Sequence, residues 1–194
     1  IEDATVMQRD LFSGRAHDLL PLTIRAKPAS VAGQRAIALL RNWDGVMASE
    51  RAEPLIFNAW LLTLNRALYG DELGTQLGGY LGGRPMTVKS MLTQRQAWCD
   101  NVKTESVETC EKILAQSLDI AVAALIERHG AKLDEWRWGE AHVAHFPHPV
   151  LTHVPVFHKI ANLNVPTGGG NNTLNRGGMR LGAERNHFRH VHGP

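Results

Sequence analysis

The stretch ESVETCEKILAQSLDIAVAALIERH, residues 105–129, decides the fold. Val107, Cys110, Leu114, Leu118, Ala121 and Leu125 recur at steps of three and four, which lines them along one face of an α-helix. Thr104 suits the N-cap, Glu105 and Glu108 suit the positive end, and Arg128-His129 before Gly130 suits the negative end. Such a stripe is the face a helix turns to a core, not a cofactor-binding pattern.

The pattern extends upstream. Residues 53–68 predict the most apolar helix: Pro54 fits its first turn and Gly70 closes it. Leu55, Ile56, Ala59, Trp60, Leu62, Leu64 and Leu68 spread around its circumference, so it is buried on more than one side. Ser30 caps a helix carrying Val31, Ile37, Ala38, Leu40 and Trp43, and Asp44-Gly45 turns the chain behind it. Residues 2–26 read as helical with bends or breaks at Gly14 and Pro21. Shorter helices are expected over 71–83 and 87–98. After Trp138 the periodicity changes. Pro147, Pro149, Pro155 and Pro166 interrupt the chain, residues 151–160 suit extended segments, and Gly168-Gly169-Gly170 reads as a turn feeding a short strand near Thr173. The expected fold class is α+β and predominantly helical: a helical region over 1–135, then a Trp/His/Gly-rich extended region with short strands over 136–194.

At 194 residues, 43% hydrophobic and 21% charged, the chain has the composition of a soluble globular protein able to bury a core. A net charge of +2 gives no pull toward nucleic acid, and Arg176, Arg180, Arg185 and Arg189 read as a solvated or subunit-facing basic surface. No apolar run approaches the roughly 20 residues that span a bilayer. Cys99 and Cys110 are the only cysteines; their separation suits a disulfide in an oxidising compartment, and equally two buried reduced thiols. The chain opens at Ile1 without an initiator Met and stops at His192-Gly193-Pro194, which reads as a piece of a larger protein.

No reacting centre emerges. His142, His145 and His148 are spaced by three and His187, His190 and His192 cluster, but neither group makes a complete zinc ligand set and His-Glu-x-x-His is absent. The triple glycine lacks the Lys-Ser/Thr ending of a phosphate loop, no Gly-x-Ser-x-Gly elbow occurs, and nothing cationic is forced beside either cysteine. No catalytic, cofactor-binding or metal residue is assigned.

An ordered series of motifs carries a resemblance. Met7-Gln8 and Asp10, Ser13, Ala16 and Leu20-Pro21 come first. Trp43-Asp44-Gly45, Ser49, Glu53-Pro54, Phe57 and Trp60 follow. Trp136, Trp138-Gly139, His142, His148-Pro149, Gly169-Gly170, Thr173 and Asn175 complete it. Together they resemble an internal part of the β-subunit of the penicillin acylase family (penicillin amidases, peptidase S45), whose members are N-terminal-nucleophile hydrolases of αββα fold. The resemblance implies hydrolysis of an acyl amide, such as a β-lactam side chain or an acyl-homoserine lactone. It also implies an N-terminal Ser that is both nucleophile and, through its α-amine, base. That Ser, the oxyanion Asn with its Arg, and the ligands of a structural calcium all precede Ile1 in the family's order, so no catalytic residue is carried over.

The resemblance further implies a disulfide between Cys99 and Cys110, a periplasmic or secreted location, and packing roles for Trp136, Trp138, Gly139 and His142. The implied partners are the remaining β-subunit segments, the α-subunit and a small acyl-amide substrate. Alone, the chain is expected to be an inactive scaffold, without cofactor and prone to self-association through unpaired strand edges. The rival readings are a stand-alone helical interaction module and a histidine-rich metal-binding protein.

Overall fold

A computed structural model describes residues 2–82, 84–153 and 158–175. In chain order the helices are α1 (Glu2–Gln8), α2 (Gly14–Thr23), α3 (Val31–Arg41), α4 (Glu53–Leu73), α5 (Pro85–Thr93), α6 (Cys110–His129), α7 (Trp138–Ala141) and α8 (His158–Ala161). The strands are β1 (Val143–Phe146) and β2 (Leu163–Pro166). The protein is α+β and predominantly helical, as the periodicities imply. Two compact units interleave along it. A seam unit comprises Ile1–Ser13, Val46–Arg51 and Arg137–Pro194; a helical unit comprises Gly14–Gly45 and Ala52–Trp136.

The helical unit is built around α4 and α6. Leu55, Ile56, Phe57, Trp60, Leu64 and Leu68 of α4 are buried, as are Leu114, Leu118, Ala121, Val122 and Leu125 of α6. Trp60 is fully enclosed, and its indole Nε1 donates to Leu114 O at 3.1 Å and Ser117 Oγ at 2.9 Å, so its one polar atom is satisfied. Trp43 packs on Phe57 with ring centres 5.3 Å apart. α3 is joined to α6 through Asp119, whose carboxylate accepts Ala29 N at 2.8 Å and also the Ser30 amide and hydroxyl. Ser30 in turn caps α3 by accepting Gly33 N at 2.9 Å. A Cβ on Gly33 would collide with Asp119 and lie 2.7 Å from Pro28 Cβ, so only glycine allows this approach.

Cys99 and Cys110 form a disulfide with Cα atoms 4.9 Å apart. It closes residues 100–109 into a loop, where the structure departs from the sequence pattern. α6 starts at Cys110, with Thr109 as N-cap accepting Lys112 N, and not after Thr104. Side chains compete successfully with helix formation here. Glu108 N donates to Asp100 Oδ1 at 2.8 Å, while the Glu108 carboxylate accepts Asn101 N, Thr104 Oγ1 and Ser106 Oγ. Val107, counted in the stripe, is 79% exposed.

Other boundaries also shift. Pro21 lies inside α2, in its last turn. Gly70 lies within α4, which continues to Leu73; a 3-10 turn follows over Gly74–Gly79, with Gly74 at φ 49°. The helix expected over 87–98 is α5 followed by a 3-10 turn over Gln96–Cys99.

In the seam unit β1 and β2 pair antiparallel, with Val143 opposite Pro166 and Phe146 opposite Leu163. Residues 151–153 form a 3-10 turn and 158–161 are helical; 154–157 lie outside the described residues, so the extended segments lie to either side. No strand forms at Thr173, where the chain turns and bends. The cause is the Thr173 hydroxyl, which accepts Gly170 N at 2.9 Å and is 2.6 Å from Asn175 O, folding the backbone onto itself.

Candidate functional site

Among the described residues of the seam unit, buried polar groups gather around Trp138, Gly139 and His142. Four pieces of chain meet there through backbone hydrogen bonds. Met47 N donates to Leu11 O at 2.9 Å and Met47 O accepts Gly169 N at 2.8 Å. Two residues on, Ser49 O accepts Gly139 N at 2.7 Å, and Arg51 O accepts Trp138 N at 2.9 Å. Asn175 N reaches Asp10 O at 3.0 Å. Segment 46–51 is therefore the common member of the seam, although it carries no periodicity by which a strand would be recognised.

Trp138 and His142 stack within this frame, ring centres 4.6 Å apart and planes 14° from parallel, both essentially without solvent exposure. Trp138 Nε1 donates to Gly169 O at 2.9 Å. His142 Nδ1 lies 2.9 Å from Thr167 O, and a carbonyl can only accept, so this nitrogen carries a proton. The main chains of the same two residues also meet, Thr167 N donating to His142 O at 3.0 Å. An imidazole held this way orients backbone.

Three glycines stand at close contacts; a Cβ on Gly168 would lie 2.7 Å from Met47 O. A Cβ on Gly139 would sit 3.0 Å from Ser49 Cβ and 3.1 Å from Pro166 Cβ. Gly169 has φ 79°, a left-handed conformation that glycine favours, and a Cβ there would strike Asn175 O. Thr173 is spent on its own loop, as described above. Ser49 Oγ donates to Glu50 Oε2 at 2.9 Å; that carboxyl is held below its ordinary value by its own backbone amide and then by Ser49. A carboxylate of lowered basicity is a weak general base, so this pair is not assigned as an activated nucleophile.

Of the four residues singled out by motif, Trp138, Gly139 and His142 come together. Trp136 belongs to the helical unit, where it is buried, donates from Nε1 to Gly130 O at 2.9 Å and lies against His129, closing the end of α6. His148 Nδ1 accepts the amides of Val150 and Leu151 at 3.2 and 3.1 Å, which makes it a turn residue. The His145 side chain, the cluster His187, His190 and His192, and Arg176, Arg180, Arg185 and Arg189 lie outside what is described. Among the described residues no group of three or more His, Cys, Asp or Glu side chains is arranged to hold a metal ion.

Charge is perturbed in the helical unit instead. Arg15 donates to Asn58 Oδ1 at 2.6 Å and is lowered to about 10 by burial. Near the disulfide, burial and then Asp71 raise Glu72, while Glu108 is held down at about 2, chiefly by Ser106 and the Asn101 amide. The sequence offered no signal for these, because each depends on chain crossings that spacing does not encode.

The comparisons with known proteins agree with the motif series. The sequence model of the penicillin amidase family matches residues 1–194. The acyl-homoserine lactone acylase QuiP of Pseudomonas putida is 27% identical over 139 residues, which cover 64% of this chain and 17% of that relative. The chain thus spans about a sixth of the length of that protein. A match from the first residue to the last, with the motif order kept, means that this chain belongs to the penicillin amidase family.

Proposed function

We propose that the chain is the scaffold portion of an amidohydrolase that cleaves acyl amides, with the acyl-homoserine lactone class a natural first substrate because the matched relative bears that name. The observation that carries the reading is the family match over all 194 residues. It is supported by the hydrogen bonds that Trp138 Nε1, His142 Nδ1 and the Thr173 hydroxyl make to backbone, which suit a frame better than a reacting centre.

On this reading the nucleophile is an N-terminal Ser on a β-chain that includes these residues, with its own α-amine as base. Oxyanion donors come from the same remaining segments, and the α-chain is the other partner. The disulfide fits an exported, periplasmic protein; among the described residues no helix is long and apolar enough to cross a membrane.

The test is to express the complete gene and follow release of fatty acid from a series of acyl-homoserine lactones, and of side-chain acid from β-lactams. Hydrolysis that disappears when the mature N-terminal Ser is replaced by Ala supports the proposal, as does absence of turnover by residues 1–194 alone. Turnover by residues 1–194 alone would overturn it.

A further inference from the structure

The corner of the helical unit where α2, α4 and α5 meet holds a buried donor and a buried acceptor that are not bonded to each other. Arg15, in the first turn of α2, donates from Nη2 to Asn58 Oδ1 at 2.6 Å and from Nη1 to Gly82 O at 3.4 Å. Asn58 is fixed in that orientation because its Nδ2 donates to Pro54 O at 2.7 Å. Asn65, 3% exposed, donates from Nδ2 to Leu81 O at 2.9 Å, which fixes its amide in the same way. Arg15 Nε and Asn65 Oδ1 are left over: both are buried and, among the described residues, both lack a partner. The two side chains line one cleft, walled by Leu19, Leu61, Pro85 and Val88 and too tight to hold a water molecule.

The wall of this cleft that yields most readily is the start of α5. Its N-cap is Arg84, whose side chain caps no amide, whereas α3 and α6 begin under the hydroxyls of Ser30 and Thr109. The amides of Thr87 and Val88 both donate to Arg84 O, at 3.0 and 3.1 Å. In this first turn only Val88 is buried; Met91 and Leu92, which anchor the helix, lie a turn further on. The closed turn therefore covers little apolar surface while it keeps water from one donor and one acceptor.

We propose that residues 85–88 form a lid, which swings away from α2 and α4 while the rest of the helical unit stays folded and so lets water reach Arg15 and Asn65. Opening uncovers Val88 and returns hydration to two polar atoms that the closed arrangement leaves unpaired. The opened cleft presents a guanidinium N–H and an amide oxygen between the apolar side chains of Leu19 and Leu61. This corner is then where solvent and small solutes first enter the helical unit, well before α4 and α6 separate.

Hydrogen exchange of the full-length protein tests this, with Val88 compared against Ile113, the amide at the same place in the capped helix α6. After correction for intrinsic rates, Val88 should exchange on the order of a hundredfold faster. Its rate should stay nearly constant as urea is raised below the unfolding transition, the mark of an opening that exposes little surface. Asn65→Leu removes the unpaired acceptor, fills its space with an apolar side chain and leaves Leu81 O in a half-buried turn. It should slow exchange at Val88 on the order of tenfold and leave the middle of α6 unchanged. Exchange at Val88 as slow as at Ile113, or rising with urea in step with the middle of α4, overturns the proposal. So does exchange at Val88 that a folded Asn65→Leu protein does not slow.

Discussion

The two units of this protein hold themselves together by different means. The helical unit rests on side chains: its largest buried group, Trp60, lies between α4 and α6 among leucines, and hydrogen bonds serve to satisfy it. The seam unit rests on backbone: Leu11, Met47, Ser49, Arg51, Trp138, Gly139 and Gly169 exchange main-chain hydrogen bonds, and glycines let the pieces approach. A helix satisfies its own main chain, so its sequence needs only an apolar face. Irregular segments brought together from distant parts of a chain must satisfy each other, and a single Cβ can prevent it. The first kind of unit tolerates drift in sequence; the second depends on a few fixed residues.

The difference can be broken open by substitution, and the largest effect belongs to the helical unit. Trp60→Ala removes the side chain that fills the α4–α6 interface and leaves Ser117 without its indole partner. A loss of about 3–5 kcal/mol is expected, measured by denaturant unfolding of the full-length protein, with Trp60→Phe recovering most of it. A loss below about 1 kcal/mol would mean that the core is not centred there.

Gly169→Ala should come next, at about 2 kcal/mol or more, because it adds both left-handed backbone strain and a collision with Asn175 O. Limited proteolysis should then cut within the seam unit before the helical unit. Ala at Gly14, where a Cβ meets nothing within 4 Å, is the matched control and should leave the cleavage pattern unchanged.

The smallest effect is one of pH. Glu108 is held at about 2 by Ser106, the Asn101 amide and Thr104, well below 4.5. A depressed carboxyl contributes above its ordinary value and loses that contribution as pH falls through about 2. Exchange in residues 100–109 should therefore quicken on acidification through this window, and Glu108→Gln should remove most of the dependence.

The same contrast explains what the sequence revealed. Helices α3, α4 and α6 were legible because apolar spacing, Ser30 as cap and Gly130 as stop all act within one helix. The start of α6 was not legible, because Thr104 and Thr109 both qualify as caps. The choice is made by Glu108 turning its amide to Asp100 and its carboxylate to three donors of the loop. The strand expected near Thr173 failed for a related reason: its hydroxyl bonds locally and bends the chain where the composition suggested extension. Trp138, Gly139 and His142 stood out by residue type, yet their role appears only with Met47–Arg51, a segment with no pattern of its own.

On the proposed reading, the buried imidazole of His142 and its surroundings hold the chain in place and take no part in bond cleavage. The most direct measurement is the pH profile of kcat for acyl-amide hydrolysis, together with Tm, for His142→Gln in the full-length protein. The account predicts a lower Tm, because the bond from Nδ1 to Thr167 O and the stack on Trp138 are disturbed, with the shape of the pH profile unchanged. An unchanged Tm with loss of one limb of that profile would contradict it, and would place a reacting proton on His142.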